Sequence, residues 1–271
     1  MLNLKMVDVS VIIVSYNTKK LTLQCIKSVL NEGSDLKKEI IVVDNASSDG
    51  SREEIRKIKS GCRIIVNDIN LGFAKACNLG IKSAKGKYIL LLNSDTKVKK
   101  QSIKKLIDFA DKSKKIGAVG PKLLNPGGTV QASVFRQPTV KRAIRQYFLN
   151  DGKLLDKYAP GDKKPVSVEV LVMAAFLISP EAKEKVGLLD ERYFMYYEDF
   201  DYCKRVLEKG LKIYYLPLAE VVHHHGASAG ESRGQWRILR DSSLIYHGVL
   251  GHYLFNFILW SGQKWQNFSK R

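Results

Sequence analysis

Cysteine is scarce: Cys25, Cys62, Cys77 and Cys203 are the only four in 271 residues, and they show neither close pairing nor ligand spacing. That excludes a zinc ribbon or a redox pair and makes a reducing compartment the simplest setting. No segment reaches the roughly eighteen consecutive apolar residues that a membrane span needs. The amino terminus also lacks a basic and apolar pair of regions ahead of a small-residue cleavage site, so the body of the chain is expected in the cytoplasm. Glycine-rich phosphate loops are missing, because no Walker-type run occurs and Gly72 and Gly80 do not form the dinucleotide fingerprint. Acid is in short supply: 27 Asp and Glu face 45 Lys and Arg, leaving a formal charge of +18. An anionic partner is therefore expected. The basic residues fall mostly in scattered doublets such as Lys19-Lys20 and Lys99-Lys100, and no reading helix, zinc finger or stacking-aromatic motif accompanies them. Nucleic acid is not an expected partner.

What the chain does have is alternation of strands and helices. Val9 to Ser15 is a short β-branched run followed by Leu21, Cys25 and Val29 at helical spacing. Glu39 to Asp44, Arg63 to Val66 and Tyr88 to Leu92 read as further strands, with a helix over Phe73 to Ala84. This order predicts an α/β fold, a mostly parallel sheet flanked by helices. Ile103 to Phe109 reads as helical and Gly117 to Leu124 as extended, and a turn at Asn125 to Gly128 leads into Val130 to Phe135. The polar, basic stretch between Pro138 and Pro165 predicts an excursion over the sheet, a lid or an acceptor loop. Val166 to Ser179 reads as one apolar strand, and Lys212 to Val222 as two extended pieces broken at Pro217.

Two acids close two different strands. Asp44 ends Ile-Ile-Val-Val-Asp, and Asp95 follows Ile-Leu-Leu-Leu-Asn-Ser. Parallel strands end at one edge, so both carboxylates are expected in the crevice where open α/β sheets bind ligands. Ser15, Tyr16 and Asn17 close the first strand and would line the same crevice; either acid alone also fits a turn or helix cap. With no backbone phosphate cradle, charge must be neutralised by side chains or a metal. Asp95 offers a hard oxygen and His223 a nitrogen, suited with diphosphate oxygens to Mg²⁺ or Mn²⁺. On a strand His223 and His225 point one way and His224 the other, which makes three ligands from this triplet geometrically poor. Farther on, Phe200, Cys203 and Leu207 recur at helical spacing, so Glu198 and Asp199 fall in the first turn of a helix. The helix dipole would favour an ionised Asp199, ready to take a proton from a hydroxyl. Taken alone, acids that merely complement the dipole are the commoner reading.

These residues resemble the family 2 glycosyltransferases, the inverting GT-A group, and within it the rhamnosyltransferase-like branch that builds bacterial cell-surface polysaccharides. The resemblance runs over most of residues 7 to 230. It is carried by Val14 to Asn17, Val42 to Ser51, Asn70 to Ala74 with Asn78, Leu91 to Asp95, Gly120 to Leu123, Gly187 to Arg205, and His223 through Gly226 to Ser228. It implies a GT-A fold with a Rossmann-like sheet over residues 1–235 and a helical tail over 236–271. It also implies that Asp44 contacts the nucleoside of an activated sugar, with Ser15, Tyr16 and Asn17 around the base and Asn78 nearby. Asp95 takes the last place of the family's Asp-X-Asp element and His223 joins the metal shell, while Asp199 serves as general base supported by Glu198 and Asp201 is structural. The first place of that element is Asn93, which keeps a carbonyl for ribose or metal but lacks the negative charge. The implied donor is dTDP-rhamnose or a UDP-hexose and the acceptor a hydroxyl of a lipid-linked or cell-surface polysaccharide. The alternative is a catalytically inactive scaffold of the same fold, for which Asn93 is the support.

Beyond Arg233, Arg237 and Arg240 the run Val249 to Trp260 is strongly apolar, with Lys264, Lys270 and Arg271 after it. Too short to span a bilayer, it suits an interfacial helix on anionic lipid, which would put the protein peripherally on the inner face of the plasma membrane. Docking on the catalytic domain or on a partner subunit of a homo-oligomer fits the same pattern.

Overall fold

The computed structural model describes residues 7–58, 61–161, 163–224 and 232–269. His225, Gly226, Ser228, Lys270, Arg271 and the side chain of Arg233 lie outside the described residues. The first half is built as its periodicity predicts: β1 (Val9–Ser15), α1 (Lys19–Leu30), β2 (Lys38–Asn45), α2 (Ser51–Arg56), β3 (Cys62–Asn67), α3 (Phe73–Ser83) and β4 (Tyr88–Asn93). The four strands run parallel in the order β3-β2-β1-β4, with Ser15 level with Asp44 and Val14 level with Asn93. Register thus brings the ends of three strands to one edge.

The second half comprises β5 (Thr96–Val98), α4 (Ser102–Ala110), β6 (Ile116–Leu124), β7 (Val134–Phe135), α5 (Val140–Phe148), β8 (Val166–Val168), β9 (Val170–Leu171), β10 (Ala175–Ile178), α6 (Pro180–Lys185), α7 (Glu198–Glu208), β11 (Lys212–His223) and α8 (Ser232–Ser269). It extends the sheet in the order β4-β10-β6-β11-β5, with β10 antiparallel to both neighbours and β6 parallel to β11. Alternate side chains of each strand feed two cores. Val11, Ile13 and Leu90 face α1 and α4 through Cys25, Ile26 and Leu106, while Ile12 and Leu91 face α3 and α7 through Cys77, Cys203 and Val206.

Three expectations are corrected. Val166 to Ser179 is not one strand. Its pieces pair with β11, with β7 and with β4 and β6 respectively, because an apolar run carries no information about which partner each piece meets. The excursion after Pro138 is not all loop, since it contains α5, capped by the Thr139 hydroxyl accepting from the Arg142 amide. Residues 212–223 form a single strand whose pairing with β6 shifts register between Leu216 and Glu220, across Pro217, which lacks the amide donor a regular ladder needs.

Helix α8 breaks at Gly248, whose backbone is non-helical at φ 69° and ψ 168°. The expected division between residues 235 and 236 falls inside this helix. The arm after Gly248 packs Phe255 and Ile258 on Ala143, with Val140, Leu155 and Leu259 around them. The Gln266 side chain donates to the Gln146 carbonyl at 3.2 Å. Its other face stays in the open: Leu250 is 87% exposed, Phe268 79%, and Tyr253, Phe257 and Trp260 are more than half exposed. Among the described residues no helix is long and apolar enough to cross a membrane.

Candidate active site

At the strand ends lies a cavity of about 650 Å³. Its polar half is lined by Tyr16, Asn45, Asn70, Asn93, Asp95 and His223, and Glu198 and Asp199 stand in the same walls. Its apolar half includes Phe135, Tyr147, Leu155, Leu239, Phe255 and Leu259. Both arms of α8 therefore contribute to the wall, a role that no short-range pattern in the tail announces.

Asp95 follows β4 and is 4% exposed, and its Oδ1 lies 3.4 Å from His223 Nε2. Among the described residues that oxygen accepts no hydrogen bond. A buried carboxylate oxygen left this way is costly. Pairing it with an imidazole nitrogen makes a donor set that fits a divalent cation, with a nucleotide's phosphates completing the shell. No group of three or more acidic, histidine or cysteine ligands occurs among the described residues, which by themselves supply a sparse site. His224, the next residue on the chain, faces a different groove, together with Lys97 and Lys105.

Asp44 is fully buried at the end of β2. Its Oδ1 accepts from Arg52 Nε at 2.7 Å and from the Ser47 amide at 3.1 Å, while Oδ2 has no partner among the described residues. Asp44 lies behind the cavity lining rather than in it. Tyr16 is 40% exposed on the rim. Asn17, in the left-handed region at φ 51°, ties the loops after β1 and β2 together: its Oδ1 accepts from the Ser48 amide at 2.8 Å and its own amide donates to Ser47 Oγ at 3.0 Å. Two more residues stand elsewhere than expected. The Ser15 hydroxyl turns into α1 and meets Thr22 Oγ1 at 2.8 Å, because β1 alternates and position 15 falls on the helix side. Asn78 is 1% exposed and bonds the backbone of Leu189 in both directions, at 2.8 and 3.0 Å, so it pins the segment leading to α7 and does not line the cavity.

Sequence reasoning passed over the asparagine cluster that does reach the cavity. Asn45 Nδ2 donates to Asn70 Oδ1 at 2.7 Å, and Asn45 Oδ1 accepts from Asn67 Nδ2 and from the Leu71 amide, both at 3.0 Å. Asn45 and Asn70 stood inside the quoted motifs, yet a neutral amide gives no charge signal. Gly72, at φ 81°, presses on Phe194: a Cβ there would lie 2.4 Å from the Phe194 carbonyl oxygen, which accepts the Phe73 amide at 2.6 Å. The turn after β3 thus clamps the turn before α7.

That second turn is strained. Tyr196 and Tyr197 have φ of 71° and 67°, unusual for side chains of this bulk and a common mark of functional segments. Contacts from α8 hold it: Ser242 Oγ donates to the Met195 carbonyl at 2.8 Å, and the Tyr197 ring meets Tyr246 at 5.3 Å and His247 at 5.8 Å. Helix α7 then starts at Glu198 as the spacing predicts, but it buries Tyr202, Cys203 and Val206, with Phe200 and Leu207 on the flanks. Asp201 pairs with Arg205 at 2.8 Å, and that arginine also donates to the Val186 and Leu188 carbonyls.

Burial changes the electrostatics inferred from the helix dipole. Glu198 is 8% exposed, its Oε2 has no partner among the described residues, and burial, with the Asp199 charge adding to it, pushes its carboxyl well up. Burial also raises Asp199, against the Phe200 amide and the Lys157 charge, which lower it. The surface Asp199 retains opens on the cavity, so desolvation outweighs the first-turn dipole. Lys157 is a further residue the sequence did not flag: burial pulls its ammonium down while Asp199 holds it up.

The Glycosyl transferase family 2 model matches residues 10–165, more than half of the chain. The chain belongs to glycosyl transferase family 2. Among curated relatives, the N-acetylglucosaminyl-diphospho-decaprenol L-rhamnosyltransferase of Mycobacterium tuberculosis is 29% identical over 70% of this chain and 68% of its own length. The dTDP-rhamnosyl transferase RfbF of Shigella flexneri is 25% identical over 81% and 70%. This family 2 enzyme is thus rhamnosyltransferase-like. Its fold is GT-A: a crystal structure of GalNAc-T7 with UDP, GalNAc and Mn²⁺ superposes with TM-score 0.65 at 19% identity, over 82% of this chain and 45% of that one. Staphylococcus aureus TarS residues 1–349 superpose at 0.57 with 16% identity, over 93% of this chain and 69% of that one.

Proposed function

We propose that this glycosyltransferase moves a sugar, with inversion, from a nucleoside-diphosphate donor to a hydroxyl of a lipid-linked or cell-surface glycan. The observation that carries the reading is one cavity with Asp199 in its wall and the Asp95–His223 pair in the same lining. Asp199 takes the proton from the acceptor hydroxyl, whose oxygen attacks the anomeric carbon as the bond to the diphosphate breaks. Glu198 lies beneath as the less readily ionised neighbour. Asp95 and His223 would hold Mg²⁺ or Mn²⁺, and such a cation supplies Lewis acidity to the leaving diphosphate. Asn93 adds a neutral amide to the same half of the cavity. The donor is assigned to dTDP-rhamnose ahead of a UDP-hexose because two relatives are named as rhamnosyltransferases. A thermal-shift series with dTDP, UDP and GDP, each with and without Mn²⁺, tests it. A ligand at about 100 times its Kd adds about 2.7 kcal/mol to native stability, so dTDP with Mn²⁺ should raise Tm most. No shift with any nucleotide, or a product that retains anomeric configuration, overturns the reading.

The tail supports a peripheral place on an anionic membrane surface, the inner face of the plasma membrane. One face of the second arm is used on α5, and the aromatic and aliphatic residues opposite it are exposed on a chain of net charge +18. The Leu250→Glu, Phe257→Glu double variant should lose flotation with phosphatidylglycerol vesicles while Tm stays near the parent value. Unchanged flotation would instead favour an interface between copies of the chain.

A further inference from the structure

A second groove, of about 920 Å³, adjoins the catalytic cavity at the end of β11: His223 lines the cavity and His224 the groove. Successive side chains of an extended chain point to opposite sides, and the His224 amide donates to the Asp95 carbonyl at 2.9 Å. The same short piece of backbone thus carries Asp95 and His223 into the cavity and His224 into the groove. Five lysines converge there. Lys27 comes from α1, Lys97 from β5, Lys99 and Lys100 from the turn after it, and Lys105 from α4. The one acid in the lining, Glu220, is already committed: Oε1 pairs with Lys122 at 2.8 Å and Oε2 with Lys99 at 3.1 Å. Lys27, Lys97, Lys100 and Lys105 are exposed and pair with no acid among the described residues. Like charges gathered in one concave surface focus their field on an incoming anion.

We infer that this groove binds an anionic glycan, a sugar chain bearing carboxylates or phosphodiesters, which on the transferase reading of the cavity is a charged stretch of the acceptor. Four ammonium groups without a protein partner call for a ligand with several negative charges. All the charged donors are lysines, compact point charges on flexible stems that follow a chain of variable spacing, where an arginine fork would demand one fixed geometry. The neutral part of the lining suits sugar. The side-chain amides of Gln24 and Asn31, on one stripe along α1, have no hydrogen-bond partner among the described residues, and an amide both donates to and accepts from hydroxyls. Other polyanions fit less well. No Phe, Tyr or Trp lines the groove, so it has no platform of the kind on which the bases of a single-stranded nucleic acid stack. Its apolar lining is Val98 and Val222, without the large residues that enter a bilayer, and its surface is concave where a membrane is flat.

The test is direct binding of labelled oligogalacturonate and labelled poly(glycerol phosphate), read by fluorescence anisotropy, with neutral dextran, oligo(dT) and phosphatidylglycerol vesicles as competitors. At least one of the two glycans should bind the parent, and the one that does names the charge. A variant with Lys27, Lys97, Lys100 and Lys105 all changed to Gln should bind it about 10–100-fold more weakly at low salt. The Lys97→Gln, Lys100→Gln pair should fall between. The differences should close at about 1 M salt, where screening acts within about 3 Å. Because these side chains are exposed and unpaired, both variants should keep the parent Tm and its thermal shift with dTDP and Mn²⁺. Parent protein that binds neither glycan overturns the proposal, as does affinity that a folded four-lysine variant retains. Displacement by dextran, or tighter binding of oligo(dT) or vesicles than of both glycans, also overturns it. Loss of the glycan with the dTDP shift intact removes the groove and leaves the transferase reading; glycan bound through the lysines with no nucleotide shift does the reverse.

Discussion

Replacing Asp199 with Asn is expected to lower turnover about 10²–10⁴-fold, the usual worth of a general base, with nucleotide affinity close to the parent's. The substitution keeps the size of the side chain and its place in the first turn of α7 but cannot take a proton. The sign of its stability effect separates chemistry from unfolding. Burial raises the Asp199 carboxyl in the folded protein, so the folded state binds this proton more tightly than the unfolded chain does. Stability from this group is therefore fully present below the ordinary aspartate value of about 3.9 and is lost as pH rises through the folded value. At neutral pH the ionised carboxylate opposes folding, and the amide should melt no lower than the parent. The same shift governs the rate: as pH falls through the raised value Asp199 is protonated, so the acid limb of kcat/KM should lie above the ordinary carboxylate range. Full turnover by the Asn variant would remove Asp199 from the chemistry.

Gly72→Ala should be the most damaging change outside the cavity's ionisable groups. Its backbone, at φ 81° and ψ 175°, lies in a region that only glycine occupies at low cost, and the added Cβ would lie 2.4 Å from the Phe194 carbonyl oxygen. Backbone strain alone costs of order 1–3 kcal/mol, and the contact can relax only by moving the turn that sets Glu198 and Asp199. A displacement of about 1 Å at a reacting group costs about 10²-fold in rate. The expected outcome is therefore a lowered Tm together with a kcat deficit of that order, read by calorimetry and steady-state assay. A variant with parent Tm and kcat would show that the clamp between the turns after β3 and before α7 does not position the acids.

The parts of this protein that are legible in its sequence are those decided by neighbours along the chain. β1 to β4 announce themselves by apolar runs, and the acids at their ends share an edge because parallel strands ending together must bring their termini together. The first turn of α7 was readable for the same reason. Side-chain direction at a strand end was not: Ser15 and Asp44 are level in register, yet Ser15 faces the hydroxyls of α1. The three destinations of residues 166–178, the Asn78 grip on Leu189 and the Gln131 bond to His223 all join segments distant in sequence. The charge state of Asp199 belongs with them. A helix dipole is a local property and favours the anion, but desolvation depends on every wall of the cavity, including Phe255 and Leu259 from the tail. The sequence by itself determined the parallel strands β1 to β4 and which acids close them; tertiary structure decided how the rest of the sheet pairs, which of those acids face the cavity and how readily they ionise, because pairing and burial are sums over contacts that no short window of sequence contains.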